Sequence, residues 1–334
     1  MRIDSSAPTR IDLAGGTYDI WPLYLLHDGA QTINAAISLR AYCSLTSRRD
    51  YRLRLTSEDT GEEVIAAGPD ELPTETLPLV ARLVRHFGAR GVEVRTRSGS
   101  PVGAGIAGSS AMAVAVAGGL AAWTGRALGD AELLTVVMNI EAQVLGVPTG
   151  VQDYRPAFYG GVSAVEMTAA GVTRVGLGVS PGELGRRLVL AYTGASRNSG
   201  INNWDVMMRR LNGDAQVVQA FDGIRDAAAG VRRALERADW RGVAAHLSRE
   251  WDHRKRLAPG VTTPEIELLL ERAWDAGALA GKVCGAGGGG CVVWLVEPDR
   301  RAAVADAATR AGATVLPITV EQDGLRVERV QDPA

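Results

Sequence analysis

The chain has 334 residues, 46% of them apolar and 22% charged, with a net charge of −2. That length exceeds what one compact core usually holds and predicts two domains, and the near-neutral balance gives no basis for nucleic acid or an anionic membrane as a partner. The 40 glycines, roughly 12% of the chain against an average of about 7%, gather in two tight clusters rather than in a linker.

Cys43, Cys284 and Cys291 are odd in number and lack metal-ligand spacing, so they are expected to be free thiols in a reducing cytosol. Met1–Ser6 has no apolar stretch and no signal peptide is expected. The longest apolar run, Ala111–Trp123, is broken by glycines and too short to cross a bilayer. A soluble, cytoplasmic protein is expected.

In chain order, alternating apolar residues predict strands at Arg10–Ala14, Gln31–Ser47 and Tyr51–Ser57. A helix follows at Leu77–Phe87 and a strand at Val92–Arg97, which runs into the glycine-rich segment Pro101–Ala111. Helices are predicted from Ser109 to Trp123 and from Asp130, as N-cap, to Leu145, where Gly146 and Pro148 stop the chain. Beyond about residue 185 the pattern becomes a strand at Arg187–Tyr192 and then mainly helix. Val217, Phe221, Ile224, Ala228, Val231 and Leu235 form one buried helical face. A later helix has Thr263 as N-cap, Pro264 at its first position and Gly277 past its end. The second cluster, Gly285–Gly290, a strand at Cys291–Val296, a helix at Ala302–Ala311 and two strands close the chain. This is an α+β chain of two domains, 1–185 and 186–334.

Gly103-Ala-Gly-Ile-Ala-Gly108 matches a dinucleotide fingerprint between a strand and a helix. That fingerprint also needs an acidic residue closing the next strand, and here the chain turns into another helix instead. A Walker A loop is excluded, because no lysine follows the glycines. What remains is a loop whose backbone N–H groups approach a phosphate at a helix N-terminus, or a purely structural tight turn. Glu141 and Asp153 after the helix, and the second glycine cluster, favour phosphoryl transfer.

Three segments carry a resemblance. They are Ala7-Pro-Thr-Arg-Ile-Asp-Leu-Ala-Gly-Gly16 with Thr17-Tyr-Asp19, then Pro101–Ala111, then Lys282-Val-Cys-Gly-Ala-Gly-Gly-Gly-Gly-Cys291. In order and spacing they resemble the superfamily of galactokinase, homoserine kinase, mevalonate kinase and phosphomevalonate kinase, and they span the chain. The resemblance implies a ribosomal S5-like N-terminal domain, a ferredoxin-like C-terminal domain, and ATP and Mg²⁺ as cofactors. Glu141-Ala-Gln-Val-Leu-Gly-Val-Pro-Thr-Gly-Val-Gln-Asp153 looks like the galactokinase segment joining the metal-binding Glu to the catalytic Asp.

By the same resemblance Asp153 accepts the proton of the acceptor hydroxyl, and Arg10 faces it and neutralises charge on the passing phosphoryl group. Gly103, Gly105, Ile106, Ala107, Gly108, Ser109 and Ser110 hold the nucleotide phosphates. Mg²⁺ falls to Glu141 and a serine hydroxyl, with Ser109 favoured and Ser110 one residue away. Asp19 is placed against sugar hydroxyls, although this chain reads Gly-Gly-Thr-Tyr-Asp where relatives often have a third Gly or a Trp-Ser. Gly15, Gly16, Gly150, Gly287 and Gly288 border the acceptor.

The surroundings of the third segment look most like bacterial sugar-1-kinases of the heptose-7-phosphate kinase group, while fucokinase resembles the first segment equally well. A phosphorylated sugar needs a basic contact, for which Arg155, Arg197 and Lys255 are candidates. Alternatives left open are a free-sugar kinase, a catalytically silent sensor of sugar and nucleotide, and a dinucleotide-dependent oxidoreductase. His27, His86, His246 and His253 have no metal spacing. The oligomeric state is not readable from the sequence.

Overall fold

A computed structural model describes residues 1–196 and 199–330. The two long N-terminal strands, β1 (Arg2–Ala14) and β2 (Gln31–Ser47), pair antiparallel along almost their full length. β3 (Leu53–Ser57), β4 (Glu63–Ala66), β5 (Val92–Ser98), β6 (Val162–Thr168), β7 (Gly171–Gly176) and β12 (Arg326–Val330) complete an eight-stranded sheet. Its main order is β12-β1-β2-β5-β3-β4. β2 is long enough to take two neighbours on one edge, β5 along residues 41–47 and β6 along residues 31–35.

The second sheet is β11 (Thr314–Leu316), β8 (Leu188–Tyr192), β10 (Cys291–Val296) and β9 (Ala278–Val283), in that order and antiparallel throughout. The described helices are α1 (Pro78–Phe87), α2 (Gly108–Thr124), α3 (Asp130–Leu145), α4 (Tyr154–Tyr159), α5 (Pro181–Arg186), α6 (Ser199–Leu211), α7 (Ala215–Glu236), α8 (Trp240–Arg254), α9 (Pro264–Asp275) and α10 (Arg301–Arg310).

α2 is apolar on every side, and a helix of that kind must be buried. It lies between the first sheet and α1 and α3, within a core that includes Leu45, Leu55, Val84, Val116 and Val137. Its two internal glycines permit the close approach. A Cβ on Gly118 would lie 2.6 Å from Leu325, and one on Gly119 2.6 Å from Leu45. α7 buries the predicted face, and Thr263 caps α9 through the Ile266 N–H. Gly129 rather than Asp130 is the N-cap of α3, and Asp130 opens the helix.

The division at 185/186 meets two structural facts. Ile11, Leu13 and Ile33 of the first sheet share one core with Leu190, Val231, Leu247 and Val293 from beyond the boundary. Residues 326–330 also leave the C-terminal half and pair with Arg2–Ser6 on the edge of β1. An unpaired edge there would expose a row of backbone donors and acceptors, and β12 covers it.

Candidate active site

A cleft of about 440 Å³ lies where the loop before α2, the segment before α4, the first-motif loop and the second glycine cluster converge. Gly103, Gly105 and Ala107 alternate in the left-handed region, with φ of 69°, 75° and 62°. Ala107 is the informative one, since a residue with a Cβ adopts this conformation only where its surroundings hold it. The carbonyls of this loop are tied to protein donors. Ala104 C=O accepts from Cys291 N–H at 2.7 Å, Gly105 C=O from Arg10 Nη1 at 3.0 Å, and Ile106 C=O from Arg10 N–H at 3.0 Å. Because a trans peptide sets its N–H opposite its C=O, the N–H groups of Gly105, Ile106 and Ala107 point away from those donors. No side chain caps α2, so the positive end of its dipole opens on the same space.

Arg10 projects from β1 and is fully buried. Its Nε and Nη2 both donate to Asp153 Oδ1, at 3.0 and 2.5 Å. Burial opposes its charge, but the carboxylates of Asp153 and Asp12 outweigh that and raise its pKa. One guanidinium thus joins the phosphate-type loop to Asp153, whose own side chain is 20% exposed in the cleft.

Glu141 sits on α3 and is 2% exposed. Ser110 Oγ donates to its Oε2 at 2.8 Å. Burial raises the pKa of Glu141, offset in part by the Ser109, Tyr154 and Ser110 hydroxyls. Ser110 is therefore the buried hydroxyl on Glu141, while Ser109, which also acts on Glu141, is exposed at the cleft. Among the described residues no group of three or more His, Cys, Asp or Glu could hold a metal. Mg²⁺ needs no such group, because one carboxylate and substrate phosphates suffice with water. A buried carboxylate whose nearby donors are neutral hydroxyls fits that role.

Asp19 is 2% exposed, and its carboxylate accepts from Gln152 N–H at 3.1 Å and from Gln152 Nε2 at 3.2 Å. Burial first, and the neighbouring Asp153 charge second, push its pKa up to about 7. Gly150 is required here for space, since a Cβ on it would lie 2.0 Å from Asp19 Oδ2.

Other expected site residues lie elsewhere. The buried Ile106 does not line the cleft, and neither do Gly15, Gly16, Gly287 and Gly288. These glycines are small because a Cβ would strike Gln31 O, Asp12 Oδ2, Val261 O and Gly260 O respectively, at 2.1, 2.5, 2.3 and 3.0 Å. Arg155 turns away, donating to Val151 O at 2.7 Å and Val172 O at 3.4 Å. Lys255 pairs with Asp252 at 3.3 Å beside a different surface depression. Arg197 lies outside the described residues.

The cleft also uses Gly285 and Ala286 from the second glycine cluster, and Thr17, Gln152 and Asn203, to which the sequence assigned no role. Behind Thr17 and Gly285 sits a fully buried group of four charges. Asp12 Oδ2 meets Lys282 Nζ at 3.1 Å and Arg254 Nη2 at 3.4 Å, while Glu250 pairs with Arg254 and lies 3.5 Å from Lys282. Burial would raise the pKa of Asp12, but the charges of Lys282, Arg254 and Arg10 and the Gly285 N–H hold it below the usual carboxylate range. One signal was present in the sequence: Lys282 is one of only two lysines among 36 basic residues.

The loop, Glu141 and Asp153 lie within a match to the GHMP kinases N terminal domain at residues 75–161, and the second glycine cluster within a match to GHMP kinases C terminal at 231–314. A mevalonate kinase of Aeropyrum pernix is 30% identical over 258 residues, 75% of this chain and 76% of that one. The chain belongs to the GHMP kinases. This GHMP kinase is also 28% identical over 340 residues to a D-glycero-alpha-D-manno-heptose 7-phosphate kinase of Campylobacter jejuni, covering 98% of this chain and 99% of that one. A crystal structure of a D-glycero-D-manno-heptose 1-phosphate kinase from Bacteroides thetaiotaomicron matches at a TM-score of 0.80 and 26% identity, over 99% of this chain and 100% of that one. Membership makes the protein an enzyme and a kinase, and it implies ATP as the phosphoryl donor. No described helix is long and apolar enough to cross a membrane.

Proposed function

We propose that this GHMP kinase transfers the γ-phosphoryl group of Mg-ATP to a sugar hydroxyl, with the anomeric hydroxyl of a heptose 7-phosphate as the leading acceptor. The observation that carries the reaction class is the Arg10 bridge, which holds Asp153 beside a loop with outward-facing amides. The heptose assignment rests on the end-to-end likeness to the Campylobacter jejuni enzyme.

In this reading the amides of Gly105, Ile106 and Ala107 and the start of α2, from Gly108 to Ser110, bind the phosphates. Glu141 and Ser110 would hold Mg²⁺ with Ser109 nearby, and the ion would neutralise phosphate charge. The acceptor oxygen forms its bond to γ-phosphorus as the bond to the β,γ-bridging oxygen breaks. Asp153 takes the acceptor proton, and ADP leaves. Arg10 opposes the negative charge gathering on the transferred group. Asp19, positioned by Gln152 and Gly150, receives a sugar hydroxyl.

A free sugar such as fucose or galactose is the second reading, favoured by one observation. Among the described residues Arg10 is the only Lys or Arg lining the cleft, and Asp153 occupies it. The test is ADP release with Mg-ATP across D-glycero-D-manno-heptose 7-phosphate, the free heptose, fucose, galactose and mevalonate. Selective turnover of the heptose phosphate supports the leading reading, and turnover of a free sugar alone replaces it with the second. ATP binding with no turnover would leave a sugar and nucleotide sensor.

A further inference from the structure

Two walls of the cleft come from the first-motif loop and the start of the second glycine cluster. Thr17, in the first motif, has φ of 72°, a conformation that a β-branched residue keeps only under constraint. Gly285, opening the second glycine cluster, lies just past the Cys284 N–H to Cys291 C=O bond of the β9–β10 ladder. Both line the cleft at the end that holds Asp19.

One guanidinium spans them. Arg254 Nη1 donates to Thr17 Oγ1 at 3.3 Å and to Gly285 C=O at 3.1 Å. The carboxylates that hold this guanidinium grip the same two loops. Asp12 Oδ1 accepts from Gly285 N–H at 3.0 Å, and Glu250 Oε1 accepts from Gly15 N–H at 3.3 Å. Arg254 is 1% exposed, and its pKa is raised by Glu250 and Asp12 against the effect of burial.

We propose that Arg254 is a positioning residue which sets the separation of the Thr17 and Gly285 walls, and through it the fit of the acceptor beside Asp153. This rests on the kinase reading above. A charge cluster that merely joined the two halves of the chain would need neither the Thr17 hydroxyl nor a planar fork. Lysine keeps the charge but replaces the fork with a single nitrogen, which separates the two roles.

The experiment compares Arg254→Lys, Thr17→Val and the double variant with the unaltered chain. Kinetics use Mg-ATP and whichever panel sugar the unaltered chain turns over. Melting temperature and hydrogen exchange of segments 13–20 and 284–289 are read in parallel. The expected result is an acceptor KM about tenfold higher in each single variant, the size of one lost hydrogen bond to a charged group. ATP KM stays within about twofold, and the double variant is no worse than the singles, because both remove one bridge. Unchanged acceptor KM in both, effects that multiply in the double variant, or losses that follow melting temperature alone would overturn it. Should Arg254→Lys fail to fold, Thr17→Val decides, since it leaves every ion pair intact. Should no panel sugar be turned over, the sugar acceptor proposed above falls; faster exchange in both segments in Arg254→Lys then still supports the bridge between the walls, and unchanged exchange removes it.

Discussion

The two glycine clusters have similar composition and different wiring. In the loop before α2 the carbonyls of Ala104, Gly105 and Ile106 are occupied by protein donors, which turns the amides outward. In the cluster at 285–290 three amides are occupied as well, alongside the carbonyls of Gly285 and Gly290, which accept from Arg254 Nη1 and Thr193 N–H. Gly285 N–H goes to Asp12, Gly288 N–H to Val261 C=O at 2.9 Å, and Gly290 N–H to Ala195 C=O at 2.9 Å. A loop with its acceptors tied back presents donors to an anion, whereas one with its donors tied back is a strut. Counting glycines does not separate the two; the partners of each peptide group do.

The contrast makes predictions of decreasing size. Asp153→Asn, at the junction between the loop and the acceptor, is expected to lower kcat about 10³-fold while ATP binding and melting temperature stay near those of the unaltered chain. Near-normal turnover in that variant would take Asp153 out of its role as base. Next come matched glycine variants. Gly103→Ala places a Cβ 2.0 Å from Ser196 Oγ at φ of 69° and is expected to raise ATP KM. Gly288→Ala places one 3.0 Å from Gly260 O at φ of 74° and is expected to cost about 1–2 kcal/mol of stability with ATP KM unchanged. If denaturant unfolding and kinetics show the same signature for both, the distinction between presenting loop and strut is lost.

Asp19 gives a smaller, pH-dependent effect. Its carboxyl is pushed up from 3.8 to about 7, so the folded chain holds a proton that the unfolded chain releases. Stability therefore falls as pH rises from about 4 through about 7. Asp19→Asn should raise the melting temperature at pH 8 relative to the unaltered chain, and the gain should shrink toward pH 4. A gain independent of pH would contradict the assignment. Smallest is Lys255→Ala, expected to leave kcat and both KM values within about twofold; a marked rise in acceptor KM would return Lys255 to the site.

The motifs were legible because each is a run of special residues. Arg10, Asp153, Glu141 and the glycine loop stand close to residues with distinctive chemistry, and the cleft gathers them from β1, α3 and the start of α4. Ser109 and Ser110 both line the cleft and both reach Glu141, and they differ in burial, which the sequence does not reveal. Gly15, Gly16, Gly287 and Gly288 read as ligand contacts because the sequence does not reveal which backbone or side-chain atoms crowd them. Glu250 and Arg254 were overlooked for a related reason. Four apart on a polar helix, they carry no sequence signal of burial, which comes from the packing of α8 against the rest of the fold.

The return of residues 326–330 to β1 also bears on biosynthesis. Translation delivers β1 and β2 early, but the strand that covers the outer edge of β1 emerges some 280 residues after the end of β2 (from Ser47 to Arg326). Throughout that interval a nascent chain exposes an edge able to pair with another nascent chain. The N-terminal sheet thus reaches its final form only after the C-terminal half has been made, and chaperone occupancy on the ribosome should persist until then.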